Sequence, residues 1–170
     1  MRPNRQHQTH EPREEKQFEE EVLNIDRVAR VVKGGRRFRF RALVVVGDRK
    51  GKVGVGVSKG SDVQSAIAKA VDDAKKNLVE ISLYKHTIPH ETEGKVSGAH
   101  ILLKPASEGT GIIAGGVMRT VLEIAGVQNI LSKSLGSSNK VNCAYATISA
   151  LVDVLPADQW VTNNQVEAKK

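Results

Sequence analysis

Apolar positions along this chain fall into short runs broken at regular intervals. From Val22 to Val32 they are Val22, Leu23, Ile25, Val28, Ala29, Val31 and Val32. Alternation is imperfect but β-branched residues dominate, which predicts a strand with a bulge. Lys33-Gly34-Gly35-Arg36 follows, and a Gly-Gly pair between two extended runs predicts a tight hairpin turn. Arg37-Phe38-Arg39-Phe40-Arg41 then gives the clearest period-two pattern. It places Phe38, Phe40, Val44 and Val46 on one face, toward a core, and Arg37, Arg39 and Arg41 on the other. Gly47-Asp48-Arg49-Lys50-Gly51 predicts a second turn. A third strand is expected where Val53, Val55 and Val57 alternate with Gly54, Gly56 and Ser58. Glycines on one strand face leave room for a helix, another backbone or RNA.

Ser61-Asp62-Val63-Gln64 has the form of a helix start with Ser61 as N-cap. Val63, Ala66, Ile67, Ala70, Val71, Ala74 and Leu78 recur at helical spacing and predict a helix to about Asn77. Leu78–Leu83 is expected to form a short strand, and Pro89 and Gly94 mark a connection. Lys95–Leu103 reads as a strand, and Pro105–Gly116 as a segment of glycines and small residues. Gly116–Ala125 reads as a helix ended by Gly126, and Val127–Leu131 as a strand. Gly136-Ser137-Ser138-Asn139 is a turn able to cap a last helix from Val141, expected to bury Ala144, Ile148, Leu151, Val152 and Leu155. The predicted class is α+β with two domains: βββα over 20–85 and an α/β sandwich, ββαβα, over 95–156. Residues 1–19 and 157–170 are expected to be tails, because Met1–Lys16 has almost no apolar residues to bury.

Charge changes the picture more than composition does. The 170 residues carry a net charge of +7, and 39% are hydrophobic but only 4% aromatic. Eleven Lys or Arg lie between Arg27 and Lys59: Arg27, Arg30, Lys33, Arg36, Arg37, Arg39, Arg41, Arg49, Lys50, Lys52 and Lys59, with Asp48 the sole acid. Met1–Asp26 is acidic and Lys95–Trp160 is nearly balanced. A concentration of this kind points to an anionic partner, against the ordinary reading of a solvated basic surface. No apolar run reaches the roughly 20 residues that span a bilayer. With a polar N-terminus and the single Cys143, this leads to the expectation of a cytoplasmic protein without disulfides.

Catalytic chemistry finds little support. Glu108-Gly109-Thr110-Gly111-Ile112-Ile113-Ala114-Gly115 superficially suggests a dinucleotide loop. The acidic residue expected about 20 positions later is missing, and the strands are too few for a doubly wound sheet. Tight turns and close packing explain these glycines better. Glu91 and Glu93 lie in a connection and read as solvated, as do His7 and His10 in the tail. His86 and His90 flank a segment containing Pro89, so they do not share a helix face as a zinc pair would. Cys143 sits on the apolar side of the last helix with no His or Asp near it in sequence, which fits a small core residue. Neither a metal nor a cofactor is expected, nor a small-molecule substrate. A membrane surface fits poorly, because the cations sit on strands and turns instead of an amphipathic helix. Phe38 and Phe40 are expected to face the core, with stacking on bases as the alternative; with so few aromatics, recognition of folded RNA by shape and phosphate is favoured.

Val32-Lys33-Gly34-Gly35-Arg36, Ala42-Leu43-Val44-Val45-Val46-Gly47-Asp48 and Gly51-Lys52-Val53-Gly54 resemble the N-terminal half of the small-subunit ribosomal protein five family of bacteria. Pro105-Ala106-Ser107-Glu108-Gly109-Thr110-Gly111-Ile112-Ile113-Ala114-Gly115-Gly116, Met118-Arg119 and Val121-Leu122-Glu123 resemble its C-terminal half. The resemblance covers about Glu20–Leu155. It implies an N-terminal domain like those that bind double-stranded RNA, attachment to small-subunit ribosomal RNA, and contact with ribosomal proteins four and eight. It also implies a place near the path by which messenger enters, a role in decoding accuracy, and cytoplasmic ribosomes as the location. The expected RNA-binding residues are Arg27, Arg30, Lys33, Gly34, Gly35, Arg36, Arg37, Arg39, Arg41, Arg49, Lys50 and Lys52. The loop at Val32–Arg37 is expected near the RNA helix where spectinomycin binds. Gly111 and Arg119 are expected to face ribosomal protein four. The alternatives are a free-standing regulator that binds double-stranded RNA and a small nucleotide-dependent transferase using the glycine run.

Overall fold

The computed structural model describes residues 18–156 and 159; the tail with His7 and His10, and the chain after Gln159, lie outside the described residues. Strands β1 (Glu19–Val32), β2 (Gly35–Gly47) and β3 (Lys52–Gly60) form an antiparallel meander, and helix α1 (Val63–Lys76) packs on one face of it. A short β4 (Val79–Glu80) pairs with β3 at the edge. The expected bulge is present, as a register slip between Val22 and Asn24. The expected hairpin turn is present too: Val32 pairs with Gly35 across Lys33 and Gly34.

Alternation along β2 divides the sheet. Ala42, Val44 and Val46 point toward Ala66, Ala70, Val71 and Ala74 of α1. α1 lies very close, because β3 presents glycines to it: a Cβ on Gly54 would strike the Ala74 carbonyl, and one on Gly56 the Ala70 carbonyl. Of the three occupants the sequence left open for this gap, the helix fills it. Leu43 and Val45, with Val53 and Val55 of β3, point the other way, into a core shared with Ile101, Leu103, Leu122, Ile124 and Leu151 of the C-terminal half.

That half contains β5 (Thr92–Val96), β6 (Ala99–Pro105), β7 (Ile112–Ile113), α2 (Gly116–Ala125), β8 (Ile130–Ser134) and α3 (Lys140–Val152). Its sheet runs β5-β6-β8-β7, with β7 parallel to β8 and the other pairs antiparallel. The α+β class therefore holds, and several boundaries move for identifiable reasons. The expected single strand Lys95–Leu103 is a hairpin, turned at Ser97 (φ 54°) and Gly98. β8 starts three residues later than expected. Val127 donates its N–H back to Leu122 O (3.1 Å) and Gly126 to Glu123 O (3.1 Å), so both are spent closing α2. Asp62, not Ser61, is the N-cap of α1, and its carboxylate accepts from Ser61 Oγ at 3.2 Å instead of from the helix. Asn139 caps α3, its side chain accepting from the Val141 N–H at 3.2 Å. α3 ends at Val152, so Val152 and Leu155 stay half exposed and Ile148 only partly buried, against expectation; Cys143, Ala144, Ala146, Thr147, Ala150 and Leu151 form its buried side.

The halves are joined by backbone as well as core. The β2–β3 turn sits on the C-terminus of α2, with Arg49 donating to Ile124 O and Gly51 to Ala125 O, both at 3.0 Å. Gly126 ends that helix at φ 91°, and a Cβ there would strike the Arg49 carbonyl. Lys140 of α3 adds a hydrogen bond to Asn24 Oδ1 at 2.9 Å.

Candidate nucleic-acid interface

Beyond Phe40 no described helix covers the sheet, and the β1–β2 hairpin runs on alone. From Arg41 to Gly35 it projects about 20 Å at the usual strand rise. Register sorts its side chains. Asp26 opposes Arg41, Val28 opposes Arg39, and Arg30 opposes Arg37. These lie on the face that, lower down, carries Leu43 and Val45. Lys59 of β3, opposite Arg41, adds to the same face. Val28, Arg30, Val32, Arg37, Arg39 and Lys59 line a cleft of about 420 Å³. The other face carries Arg27 opposite Phe40, Ala29 opposite Phe38, and Val31 opposite Arg36.

Two of the expected arginines are engaged internally. Arg41 Nη2 meets Asp26 Oδ2 at 2.6 Å, and Arg49 Nε meets Glu19 Oε2 at 2.7 Å. The hydrogen bond from Arg41, joined by one from Asn24, holds the Asp26 carboxyl below the usual value of 3.8. Among the described residues, Arg30, Lys33, Arg36, Arg37, Arg39 and Lys59 form no ion pair. Arg30 and Arg37 stand directly opposite one another, an arrangement that repels unless an anion sits between them.

The remaining basic residues occupy another place. Arg49, Lys50 and Lys52 lie in the β2–β3 turn, at the opposite end of β2 from the hairpin tip and so roughly 40 Å away. Asp48 organises that turn, its Oδ1 accepting from the Lys50 and Lys52 N–H groups at 2.8 and 2.9 Å. Burial opposes ionisation of Asp48, but those backbone donors outweigh it and its pKa is lowered. The structure thus separates the basic segment into a hairpin and a turn. Gly34 and Gly35 are exposed at the tip, where Gly35 takes φ 138°. Gly111 and Arg119 belong to the C-terminal half, in the loop before β7 and on the exposed side of α2.

The alternative chemistries have no assembled site among the described residues. No group of three or more His, Cys, Asp or Glu comes together to hold a metal, and no helix is long and apolar enough to cross a membrane. Glu91 pairs with Lys104 (3.2 Å) and Glu93 with His100 (2.9 Å). Cys143 is buried, with Sγ donating to Ser137 O at 3.2 Å, as a core residue would be. The glycine run is held as a loop by Asn129, whose Oδ1 accepts from the Gly109 and Gly111 N–H groups at 3.1 and 3.0 Å.

Two features escaped the sequence reading. Phe38 was expected to face the core, but the core ends at Phe40. Phe38 is 49% exposed, and Arg27 Cζ lies 4.0 Å from its ring centroid. Lys59 joins the arginine face only through the β2–β3 register, although its alternation with Ser58 and Gly60 marked the side it would take.

An α+β frame carrying a hairpin whose outer cations form no ion pair among the described residues is the build of a polyanion-binding protein. Residues 18–82 match the family described as "Ribosomal protein S5, N-terminal domain", and residues 94–160 match "Ribosomal protein S5, C-terminal domain". The chain belongs to the ribosomal protein S5 family. Relatives named "Small ribosomal subunit protein uS5" in Campylobacter jejuni serotypes O:23/36 and O:6 are each 59% identical over 135 residues, covering 79% of this chain and 92% of the relative.

Proposed function

We propose that this chain is a structural, non-catalytic constituent of the small ribosomal subunit that binds small-subunit ribosomal RNA, in the ribosomes of the cytoplasm. Its family and the naming of its relatives support that placement. The observation that carries RNA attachment is the hairpin, which holds Arg30, Arg37 and Arg39 together with no acidic partner among the described residues. Phosphate oxygens are the natural counter-charge. Each phosphate neutralised releases condensed counterions, so affinity falls steeply with salt. Lys33, Gly34, Gly35 and Arg36 put the tip against RNA, Arg27 and Arg41 stand at the base of the hairpin, and Arg49, Lys50 and Lys52 form a second contact at the far end of β2. The finer reading follows the family. Gly111 and Arg119 face ribosomal protein four, with ribosomal protein eight also adjoining. The protein stands near the path of entering messenger and supports decoding accuracy, with the Val32–Arg37 loop near the RNA helix where spectinomycin binds.

The test is binding to small-subunit ribosomal RNA across a salt series, for the natural chain and for Lys33→Ala/Arg36→Ala/Arg37→Ala. The expected outcome is a steep slope of log affinity against log salt, lowered by about one per lost phosphate contact. A slope unchanged in the triple variant, with no preference for ribosomal RNA, would return the hairpin to an ordinary solvated face.

A further inference from the structure

We propose that Phe38 and Arg27 form a stacking platform for one unpaired nucleobase of the bound RNA, on the hairpin face opposite Arg30, Arg37 and Arg39. The proposal rests on the RNA-binding reading above and adds a second, chemically different contact to it.

The argument begins with what the hairpin exposes. A strand that only tracks phosphates needs cations and no large apolar surface. This one leaves Phe38 49% and Val31 77% exposed, on a stretch no helix covers. Phe38 has only Ala29 opposite it, so no bulky neighbour shields the ring across the strands. Arg27, opposite Phe40 and diagonal to Phe38, lays its guanidinium over that ring at 4.0 Å. Among the described residues Arg27 has no ion pair. A guanidinium parked on a ring keeps its outer π face and its in-plane N–H donors free. A nucleobase can therefore extend the stack on Arg27 or slip beside it onto the ring, while the N–H groups reach the base edge or its phosphate. A protein side chain could also cover an apolar patch, but Arg36 beside it and the cationic opposite face favour an anionic chain. The hairpin would then sit between two stretches of RNA, held by charge on one side and by stacking on the other.

The two contacts differ in salt dependence, which makes them separable. Stacking is worth about 1–3 kcal/mol per base, roughly a 5- to 150-fold change in affinity, and releases no counterion. The experiment measures binding of the full-length chain to small-subunit ribosomal RNA across salt for Phe38→Leu, Phe38→Trp, Arg27→Lys and Arg37→Ala/Arg39→Ala. Far-ultraviolet circular dichroism checks each fold, which should survive because these side chains lie beyond the core. Phe38→Leu and Arg27→Lys are expected to weaken binding roughly 5- to 150-fold at every salt concentration with the slope unchanged. Phe38→Trp should retain affinity, and the double arginine variant should lower the slope by about two. Unchanged affinity in Phe38→Leu, with the slope still lowered in the arginine variant, overturns the platform and leaves phosphate binding intact. A Phe38→Trp as weak as Phe38→Leu overturns it too, because shape and not stacking would then matter. If Phe38→Leu binds RNA normally but no longer enters ribosomal particles, a protein covers this face and the platform is wrong. No effect of any variant would instead remove the RNA-binding reading itself.

Discussion

Gly126 packs directly against the backbone of the N-terminal half, and replacing it with alanine tests that junction. Its φ of 91° is one that L side chains rarely adopt, and a left-handed backbone costs about 1–2 kcal/mol in a non-glycine residue. The new methyl would also strike the carbonyl of Arg49 and lie 2.5 Å from its carbon. Backbone cannot swing aside as a side chain can, so the β2–β3 turn must lift. Lifting it strains or breaks the hydrogen bonds from Arg49 to Ile124 O and from Gly51 to Ala125 O. At about 0.5–1.5 kcal/mol for each bond, the total is about 2–5 kcal/mol. Each kcal/mol moves the melting temperature of a chain this size by about 2–4 °C, so a fall of about 4–20 °C is expected. Gly109 is the control: its φ is 89°, yet nothing lies within 4 Å of where a Cβ would be. Gly109→Ala should carry the backbone strain alone, about 1–2 kcal/mol. Thermal unfolding followed by circular dichroism compares the two. A Gly126→Ala melting temperature no lower than that of Gly109→Ala would refute the claim that this contact holds the halves together.

Leu43→Ala removes a side chain that is 2% exposed in the shared core, and should cost about 2–5 kcal/mol in urea unfolding with affinity for small-subunit ribosomal RNA unchanged. Asn129→Ala takes the acceptor from the Gly109 and Gly111 N–H groups, and should speed their amide exchange while costing about 1–3 kcal/mol. Asp26 and Asp48 both have lowered carboxyl pKa values, so their contribution to stability is present above pH 3.8 and is lost as pH falls below it. Asp26→Asn should flatten part of that acid loss in melts from pH 5 to 2. Because the Asp26–Arg41 pair is about one third exposed, the effect should be on the order of 0.2–1 kcal/mol, and an Asp26→Asn curve parallel to the natural one would discount the pair.

The elements with strong periodicity were legible in the sequence, and so was the hairpin that carries the candidate site. Phe38, Phe40, Val44 and Val46 do share a face, because strand parity is local. Where that face stops being covered is not local: the edge of α1 and the length of the hairpin decide that Phe40 is half-buried and Phe38 is not. The second buried face, with Leu43 and Val45, was hidden for a related reason. Arg37, Arg39 and Arg41 continue into Leu43 and Val45 on one side, so a single strand face is cationic at one end and core at the other. The grouping of Arg49, Lys50 and Lys52 with the hairpin arginines followed from nearness in sequence, whereas β2 holds them at its two ends. Val127 was misplaced in a strand because its apolar character gives no sign that its N–H closes the preceding helix.

The shared core also bears on how the chain is made. Val53 and Val55 emerge early, but Leu122, Ile124 and Leu151, which cover their face of the sheet, are translated much later. At about 5–20 residues per second, the roughly 100 intervening residues take about 5–20 s to synthesise. For that interval the N-terminal half can close against α1 on one side only. A newborn chain thus displays an open apolar sheet next to a cationic hairpin. Early capture of RNA by the hairpin, before release from synthesis, would tether a half-finished molecule whose open face is a ready site for aggregation or for a chaperone.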